Sequence, residues 1–472
     1  MKWLSQIVVY FNYYIIYYVI SLNFIYFLLL LLSLFKVIDY LKKIRYTDYR
    51  RFSGSVNMVP ISILVPAYNE EKTIVENVKS LLELNYPLFE VVVINDGSND
   101  LTLEKLLEAF ELQKIEQPLR IRLKTRPVRG IYKNPDIMNL TVIDKENGGK
   151  ADALNAGINA AVYPVFVSID ADSFLESYSL VRIIIPFMED PRTVAVGGIV
   201  RVANGSVIEG GLIREIRLPR SRLACFQVVE YLRAFLTGRM GWDALGSLLI
   251  ISGAFGAFDK EAVIAAGGYA TDTVGEDMEL VVRLHRRMRE LRKPYKIKFI
   301  PDPVCWTQVP ENLKDLHSQR RRWQIGLIDS LFRHRRMLFN PRYGVIGLFA
   351  APYFWFFEML GPIIETLGYL IVPAAFLLRL INLRFFLLFL TASILYGILL
   401  SLGAILLEEY SFNKYKGLKD FLRLILFAIL ENFGFRQLVS LYRVSGLLSF
   451  RKQKSSWGYI KRKYFTEEEA KL

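Results

Sequence analysis

Cysteine is nearly missing from this sequence: Cys225 and Cys305 are the two in 472 residues. Two distant cysteines make neither a disulfide framework nor a zinc-binding pattern, and they suit a reducing cytosol. Internal repeats and low-complexity tracts are also missing, which excludes solenoids and purely compositional linkers. Acidic residues are in deficit. Lys and Arg number 60 against 46 Asp and Glu, a formal net charge of +14. What the chain has in plenty is apolar: 53% of residues are hydrophobic and mean hydropathy is +0.27. An ordinary soluble enzyme has no such balance. The basic clusters Lys42-Lys43, Arg50-Arg51 and Arg333-His334-Arg335-Arg336 abut apolar runs. They read as anchors beside a membrane rather than a nucleic-acid or other polyanion face.

Residues from about Ile7 to Val37 are almost all apolar. The run is too long for a signal peptide and has no small-residue cleavage site, so one transmembrane helix is expected. Basic residues follow it at once, which places the next domain in the cytoplasm. Further apolar stretches cover Val345–Leu378, Phe385–Leu407 and Phe421–Leu448, the last interrupted by Glu431, Asn432, Arg436 and Gln437. If each crossed once, the basic tail from Arg451 would end outside, against the charge rule. One segment is therefore expected to be a hairpin or re-entrant. Glu358 and Glu365 share a helix face inside the first stretch. They read either as the lining of a polar path or as partners of an interface or of Arg436.

Between these blocks the texture changes. Ile61–Val65, Val91–Ile94, Thr141–Ile143 and Val165–Ile169 are short apolar strands. Helices are expected at Thr73–Leu84, Leu101–Gln113 and Ile213–Met240. Such alternation predicts a mostly parallel sheet covered on both faces, with functional loops at the carboxyl ends of its strands. A basic, Pro-containing insert at Gln117–Asn139 has no evident place in this scheme. The expected organisation is an N-terminal transmembrane helix at 1–40, an α/β domain at 55–305, interfacial helices at 306–344, a transmembrane region at 345–448 and a basic tail at 449–472.

Several residues in the polar region could do chemistry. Asp170 and Asp172 follow a strand at i and i+2, so both carboxylates can address one metal-bound diphosphate. A turn cap is the plainer reading of a lone Asp-x-Asp. Asp96 ends an earlier strand beside Gly97, a pairing that also makes ordinary turns. Lys150 follows Gly148-Gly149 and opens a helix, a placement suited to phosphate. Glu276 and Asp277 open another helix, where the dipole favours acids in any case and where one could be a general base. Gln319, Arg322 and Trp323 lie on a helical run before the second apolar block. That pattern suits a membrane-interface belt, or a diphosphate at Arg322 with a sugar ring at Trp323.

Together these segments resemble membrane-embedded family-2 glycosyltransferases, the processive synthases of cellulose, hyaluronan, chitin and poly-N-acetylglucosamine. Val65-Pro66-Ala67-Tyr68-Asn69-Glu70 is similar to their opening motif near the nucleotide base. Asn95-Asp96-Gly97 resembles their Asp-Asp-Gly, with Asn in the first place. Lys150-Ala151 matches a Gly-Lys-Ala element, and Asp170-Ala171-Asp172 the metal motif. Gly275-Glu276-Asp277 resembles Thr-Glu-Asp, and Gln319 to Trp323 the Gln-x-x-Arg-Trp signature of processive members. Gly253, in Ser252–Gly256, falls at an acceptor-side loop. The likeness covers roughly residues 59 to 326 and is greatest to the poly-N-acetylglucosamine synthase type.

The resemblance implies a GT-A-like α/β fold and inverting transfer from a UDP-sugar, UDP-N-acetylglucosamine favoured, to a growing glycan. It makes Asp277, with Glu276, catalytic. Pro66, Tyr68, Glu70, Asp96, Lys150, Asp170, Asp172 and Arg322 become nucleotide-sugar ligands, and Gly253, Gln319 and Trp323 acceptor ligands. Mg2+ or Mn2+ is expected at Asp170 and Asp172. The expected setting is a multi-pass protein of the plasma membrane, with lipids and accessory export or polymer-modifying proteins as further partners and no nucleic acid. The alternatives are a single-transfer enzyme acting on a lipid acceptor and an inactive membrane scaffold or export component.

Overall fold

A computed structural model of the chain describes residues 2–45, 49, 58–209 and 212–450. The basic pair Arg50-Arg51 and the basic tail from Arg451 lie outside the described residues. The chain forms two compact units. One draws on residues up to Tyr40, Arg220–Leu245 and the chain from Pro310; the other on Leu41–Pro219 and Gly246–Val309. Arg220–Leu245 thus groups with the helical unit, although it falls inside the span 55–305 expected for the α/β domain.

The α/β unit is built on strands β1 (Ile61–Ala67), β2 (Phe89–Asn95), β3 (Gln113–Ile115), β4 (Val128–Lys133), β5 (Leu140–Lys145) and β6 (Val165–Ile169). It continues with β7 (Ser173–Leu175), β8 (Thr193–Val202), β9 (Val207–Glu209), β10 (Leu212–Glu215), β11 (Phe255–Asp259) and β12 (Lys296–Thr307). Ten strands form one sheet in the order β3-β4-β5-β2-β1-β6-β11-β8-β12-β7, and β9 pairs with β10 apart from it. The run β5-β2-β1-β6 is parallel, as its continuous apolar character implies. All five positions of β6 are buried, so both its faces are covered. Beyond β6 the sheet is mixed, with β11 antiparallel to β6 and β8 and β12 parallel to β8.

Register positions the site. Ala67 pairs with Asn95, and Asn95 with Asp144, so β1, β2 and β5 end level with one another. Leu64 pairs with Ser168, which brings the end of β6 to the same edge. The loops carrying Tyr68, Asp96, Lys150 and Asp170 all leave from that edge. Helix Lys150–Ala160 packs on β1 and β2. A Cβ on its Gly157 would stand 2.9 Å from Ile94, so the glycine permits that close seat.

The insert contributes a strand, β4, to the sheet. The helix read as Leu101–Gln113 spans Thr102–Ala109; Glu111 takes a left-handed φ of 48° and halts it. Gln113–Ile115 then pairs with Ile131–Lys133, and β4 with β5, so the insert supplies the second strand of a hairpin that extends the sheet past β5.

The helical unit begins with Lys2–Ile44, longer than the span read from the apolar run alone. The expected helix at Ile213–Met240 starts later, at Arg222, where Ser221 caps Ala224 N–H; Leu212–Glu215 is strand instead. Among the described residues three helices are long and apolar enough to cross a membrane: Gln6–Ile44, Leu383–Ser411 and Leu418–Ser449. Ile346–Met359 and Gly361–Leu377 form a pair bent by 43°, a fourth candidate if the two count as one span. The polar interruptions are paired inside this unit. Glu431 binds Arg233 and takes the Ser401 hydroxyl at 2.5 Å. Glu358 pairs with Arg443 at 3.0 Å rather than with Arg436, and Glu365 accepts from Ser440 at 2.8 Å.

Candidate active site

The loop after β5 is shaped by a buried charge cluster. Lys145, fully buried, reaches Asp96 at 2.7 Å and Asp152 at 2.6 Å. Asp96 also accepts the N–H groups of Gly148 at 3.0 Å and Gly149 at 2.7 Å. Both its carboxylate oxygens are therefore spent on the loop that delivers Lys150. Gly97 has a φ of +64°, and a Cβ there would lie 2.7 Å from the Asn147 backbone nitrogen. Only glycine lets the two loops approach so closely. Sequence reading missed Lys145. The signal was a charged pair, Asp144-Lys145, directly following the apolar run Val142-Ile143.

The loop after β1 is tied to the loop after β2. Asn69 N–H donates to Ser98 at 3.1 Å, and Asn99 N–H to the Asn69 side chain at 2.8 Å. Glu70 takes the Thr73 hydroxyl at 3.0 Å. Pro66 is half-buried in β1. Tyr68 stands 45% exposed at this rim, free to stack on a flat ligand.

Lys150 is the meeting point. Its ammonium contacts Asp170, donates to the Gly253 carbonyl at 3.1 Å and lies 3.8 Å from Glu276. Burial alone would lower its pKa; the carboxylates of Asp170, Glu276 and Asp277 outweigh that and hold it above the usual lysine value. Gly253 serves both sides. Its N–H donates to Asp277 at 3.0 Å while its carbonyl holds Lys150. The other Asp277 oxygen accepts from Met278 N–H at 2.8 Å, a first-turn contact that the helix opening provides. Asp277 is half-buried, Glu276 and Asp172 buried.

Two carboxylates, Asp170 and Glu276, thus meet one ammonium, with Asp277 across Gly253 and Asp172 two residues from Asp170. Surplus acid of hard oxygen character fits a divalent cation. Among the described residues no three His, Cys, Asp or Glu side chains converge to hold an ion. A cation held by one or two carboxylates and completed by phosphate oxygens has the Mg2+-type donor set, so the residues fit that arrangement. Cys305 lies nearby but is no nucleophile. Burial, then the charge of Asp170, raises its thiol well above the ordinary value.

Gln319, Arg322 and Trp323 sit on helix Leu313–Arg333 of the helical unit. Trp323 is 44% exposed. The neighbouring Arg320 guanidinium lies 4.3 Å from its ring centre and pairs with Glu230 at 2.8 Å. That stacking holds the indole in place.

Residues 62–262 match the family described as glycosyl transferase family 2, and residues 165–406 match glycosyl transferase family group 2. The chain is 30% identical over 318 residues to the poly-beta-1,6-N-acetyl-D-glucosamine synthase of Staphylococcus aureus (strain COL), covering 66% of each. It is 32% identical over 274 residues to the synthase of the same name from Staphylococcus epidermidis, covering 58% of this chain and 56% of that one. The chain therefore spans just under two thirds of the first relative's length. A mannosyltransferase of Pyrobaculum calidifontis, solved with GDP-Man and Mn2+, superposes with a TM-score of 0.51 at 18% identity, covering 92% of this chain and 99% of that one. That likeness bears on the fold, which is GT-A-like. With the second family match alone covering more than half of its residues, the chain belongs to the family-2 glycosyltransferases.

Proposed function

We propose that the chain is an inverting, processive glycosyltransferase. It would polymerise a UDP-sugar, UDP-N-acetylglucosamine before others, into a surface polysaccharide and pass the product across the plasma membrane. The observation that carries the reading is the double use of Gly253, which places a carboxylate on one side and a charge-neutralising ammonium on the other. The product named for the staphylococcal relatives supports the sugar, and the apolar helices support the membrane setting. Lys42 and Lys43, which end the first apolar helix, support a cytoplasmic α/β unit.

In this reading Asp277 takes the proton of the acceptor hydroxyl as that oxygen bonds to the anomeric carbon. The bond from that carbon to the diphosphate oxygen breaks, and its electron pair leaves with UDP. One displacement inverts the centre. Lys150 and Arg322 offset charge on the leaving diphosphate. Asp170 and Asp172 would hold Mg2+ or Mn2+, which supplies Lewis-acid stabilisation of the same charge. Asp96 acts through the loop it holds, while Pro66, Tyr68 and Glu70 border the nucleoside. Gly253, Gln319 and Trp323 receive the acceptor sugar.

Purified full-length protein in lipid, given a panel of UDP-sugars with and without Mn2+, tests this. UDP release and a polymer from UDP-N-acetylglucosamine are expected. A single-sugar lipid product would reassign the enzyme, and no release from any donor would leave an inactive scaffold. In the same assay Asp172→Ala should abolish the response to Mn2+ and weaken UDP binding by about tenfold or more, the scale of one charge-assisted contact at roughly 1.5–3 kcal/mol. UDP affinity in the variant equal to that of the wild type, both with Mn2+ and without it, would exclude the metal role.

Gly253→Ala probes the meeting point directly. The added Cβ would stand 3.0 Å from Lys150 Nζ and 3.5 Å from an Asp277 oxygen. Displacing either group by a few tenths of an ångström should slow turnover, with losses up to about 10²-fold if the shift approaches 1 Å. Wild-type turnover in that variant would remove Gly253 from the site.

A further inference from the structure

Helix Glu276–Glu290 holds the loop before β11 at two points. At its first turn Asp277 accepts the N–H of Gly253 at 3.0 Å. Eight residues on, roughly 12 Å along the helix, His285 Nε2 lies 2.8 Å from the carbonyl oxygen of Leu248. A carbonyl can only accept, so Nε2 carries the proton and Nδ1 is the bare nitrogen. Nδ1 then accepts the Tyr295 hydroxyl at 2.9 Å, and that hydroxyl oxygen accepts from Arg289 Nε at 3.4 Å. The donors run one way, from Arg289 through Tyr295 and His285 to Leu248. His285 is 1% exposed and Leu248 likewise 1%. Burial, eased by the Leu248 bond and reinforced by Arg289, pushes the imidazole pKa down to about 4, so the ring stays neutral near neutral pH.

A buried helix could fill this place with leucine. A histidine of one enforced tautomer, aimed at a backbone oxygen five residues before Gly253, does something packing does not require. We infer that His285 is a positioning residue for sugar transfer: its Nε2–H pins Leu248 and thereby sets Gly253 between Lys150 and Asp277. This rests on the reading of Asp277 as the base. The residue touches no substrate. Its effect should fall on turnover, because Gly253 joins the base Asp277 to Lys150, which faces the diphosphate oxygen whose charge grows as the bond breaks.

The two ring nitrogens can be separated by substitution. In His285→Gln the amide nitrogen falls where Nε2 was and can still donate to Leu248. In His285→Asn the amide reaches only the Nδ1 position and cannot. Full-length protein in lipid would be assayed with UDP-N-acetylglucosamine. His285→Gln should keep kcat within about threefold, while His285→Asn should lose at least about tenfold in kcat with KM for the donor unchanged. Hydrogen exchange across 246–254 should rise in the Asn variant and not in the Gln variant, a readout that needs no turnover. Equal kcat in the two variants, or a loss matched by less folded protein, would overturn the inference. Unchanged exchange in the Asn variant would overturn it as well. If Asp277→Asn keeps its turnover while exchange still separates the two variants, the base assignment has failed and the pin itself stands.

Discussion

Asp277→Asn is expected to abolish sugar transfer while leaving UDP binding intact. The amide has the shape of the carboxylate, and its oxygen can still accept the Gly253 N–H that lies 3.0 Å from Asp277. What it loses is the ability to take a proton, together with the acceptor for Met278 N–H. General-base contributions of about 10²–10⁴-fold set the scale of the loss. UDP affinity should not move, because the groups assigned to the diphosphate, Lys150 and Asp170, stand across Gly253 from Asp277. The measurement pairs UDP release under saturating donor with UDP binding by calorimetry. Turnover within a few-fold of wild type would end the assignment. A loss of UDP binding in parallel would instead place Asp277 among the nucleotide ligands.

Lys145→Met is expected to be the most destabilising single change in the α/β unit. The lysine is fully buried between Asp96 and Asp152, themselves 3% and 6% exposed. Methionine fills much of the volume but leaves two carboxylates facing each other without a cation. Removing one partner of a buried ion pair costs roughly 3–5 kcal/mol. The consequence reaches the site, because Asp96 also holds the N–H groups of Gly148 and Gly149. Helix Lys150–Ala160 begins directly after them. The check is resistance of the α/β unit to urea, read by limited proteolysis together with UDP binding. A triple variant, Lys145→Met with Asp96→Asn and Asp152→Asn, should recover part of the loss, since neutral amides are far cheaper to bury than unpaired charges. If Lys145→Met resists urea as wild type does, the cluster does not hold the loop.

Much of the α/β unit was legible beforehand because its strands are buried on both faces. Such strands read as unbroken runs of Val, Ile and Leu, and β1, β2, β5 and β6 were seen for that reason. The hairpin β3–β4 was not. Gln113–Ile115 is short and exposed and carries Lys114, so it has no apolar pattern. Its pairing comes from the edge that β5 offers. The start of the Arg222–Tyr231 helix was misread for a related reason. Basic and aliphatic residues continue upstream past Pro219, and only pairing with β9 turns Leu212–Glu215 into strand.

The sequence by itself determined an α/β unit with apolar helices on both sides, carrying motifs that resemble those of the family-2 glycosyltransferases. It also determined which short motifs leave the carboxyl ends of the strands. Those properties are local: side-chain type and spacing along a backbone settle them. Which motif touches which was decided by the tertiary structure alone. The level ends of β1, β2 and β5, set by backbone register, bring Asp96 to Lys145 and the Gly148-Gly149 loop. The antiparallel pairing of β11 with β6 brings Gly253 to Lys150. A pairing register is a long-range property, fixed by contacts between residues as far apart as Lys150 and Gly253. So the double duty of Gly253, the single tautomer of His285 and the burial of Lys145 exist only once the sheet has closed around them.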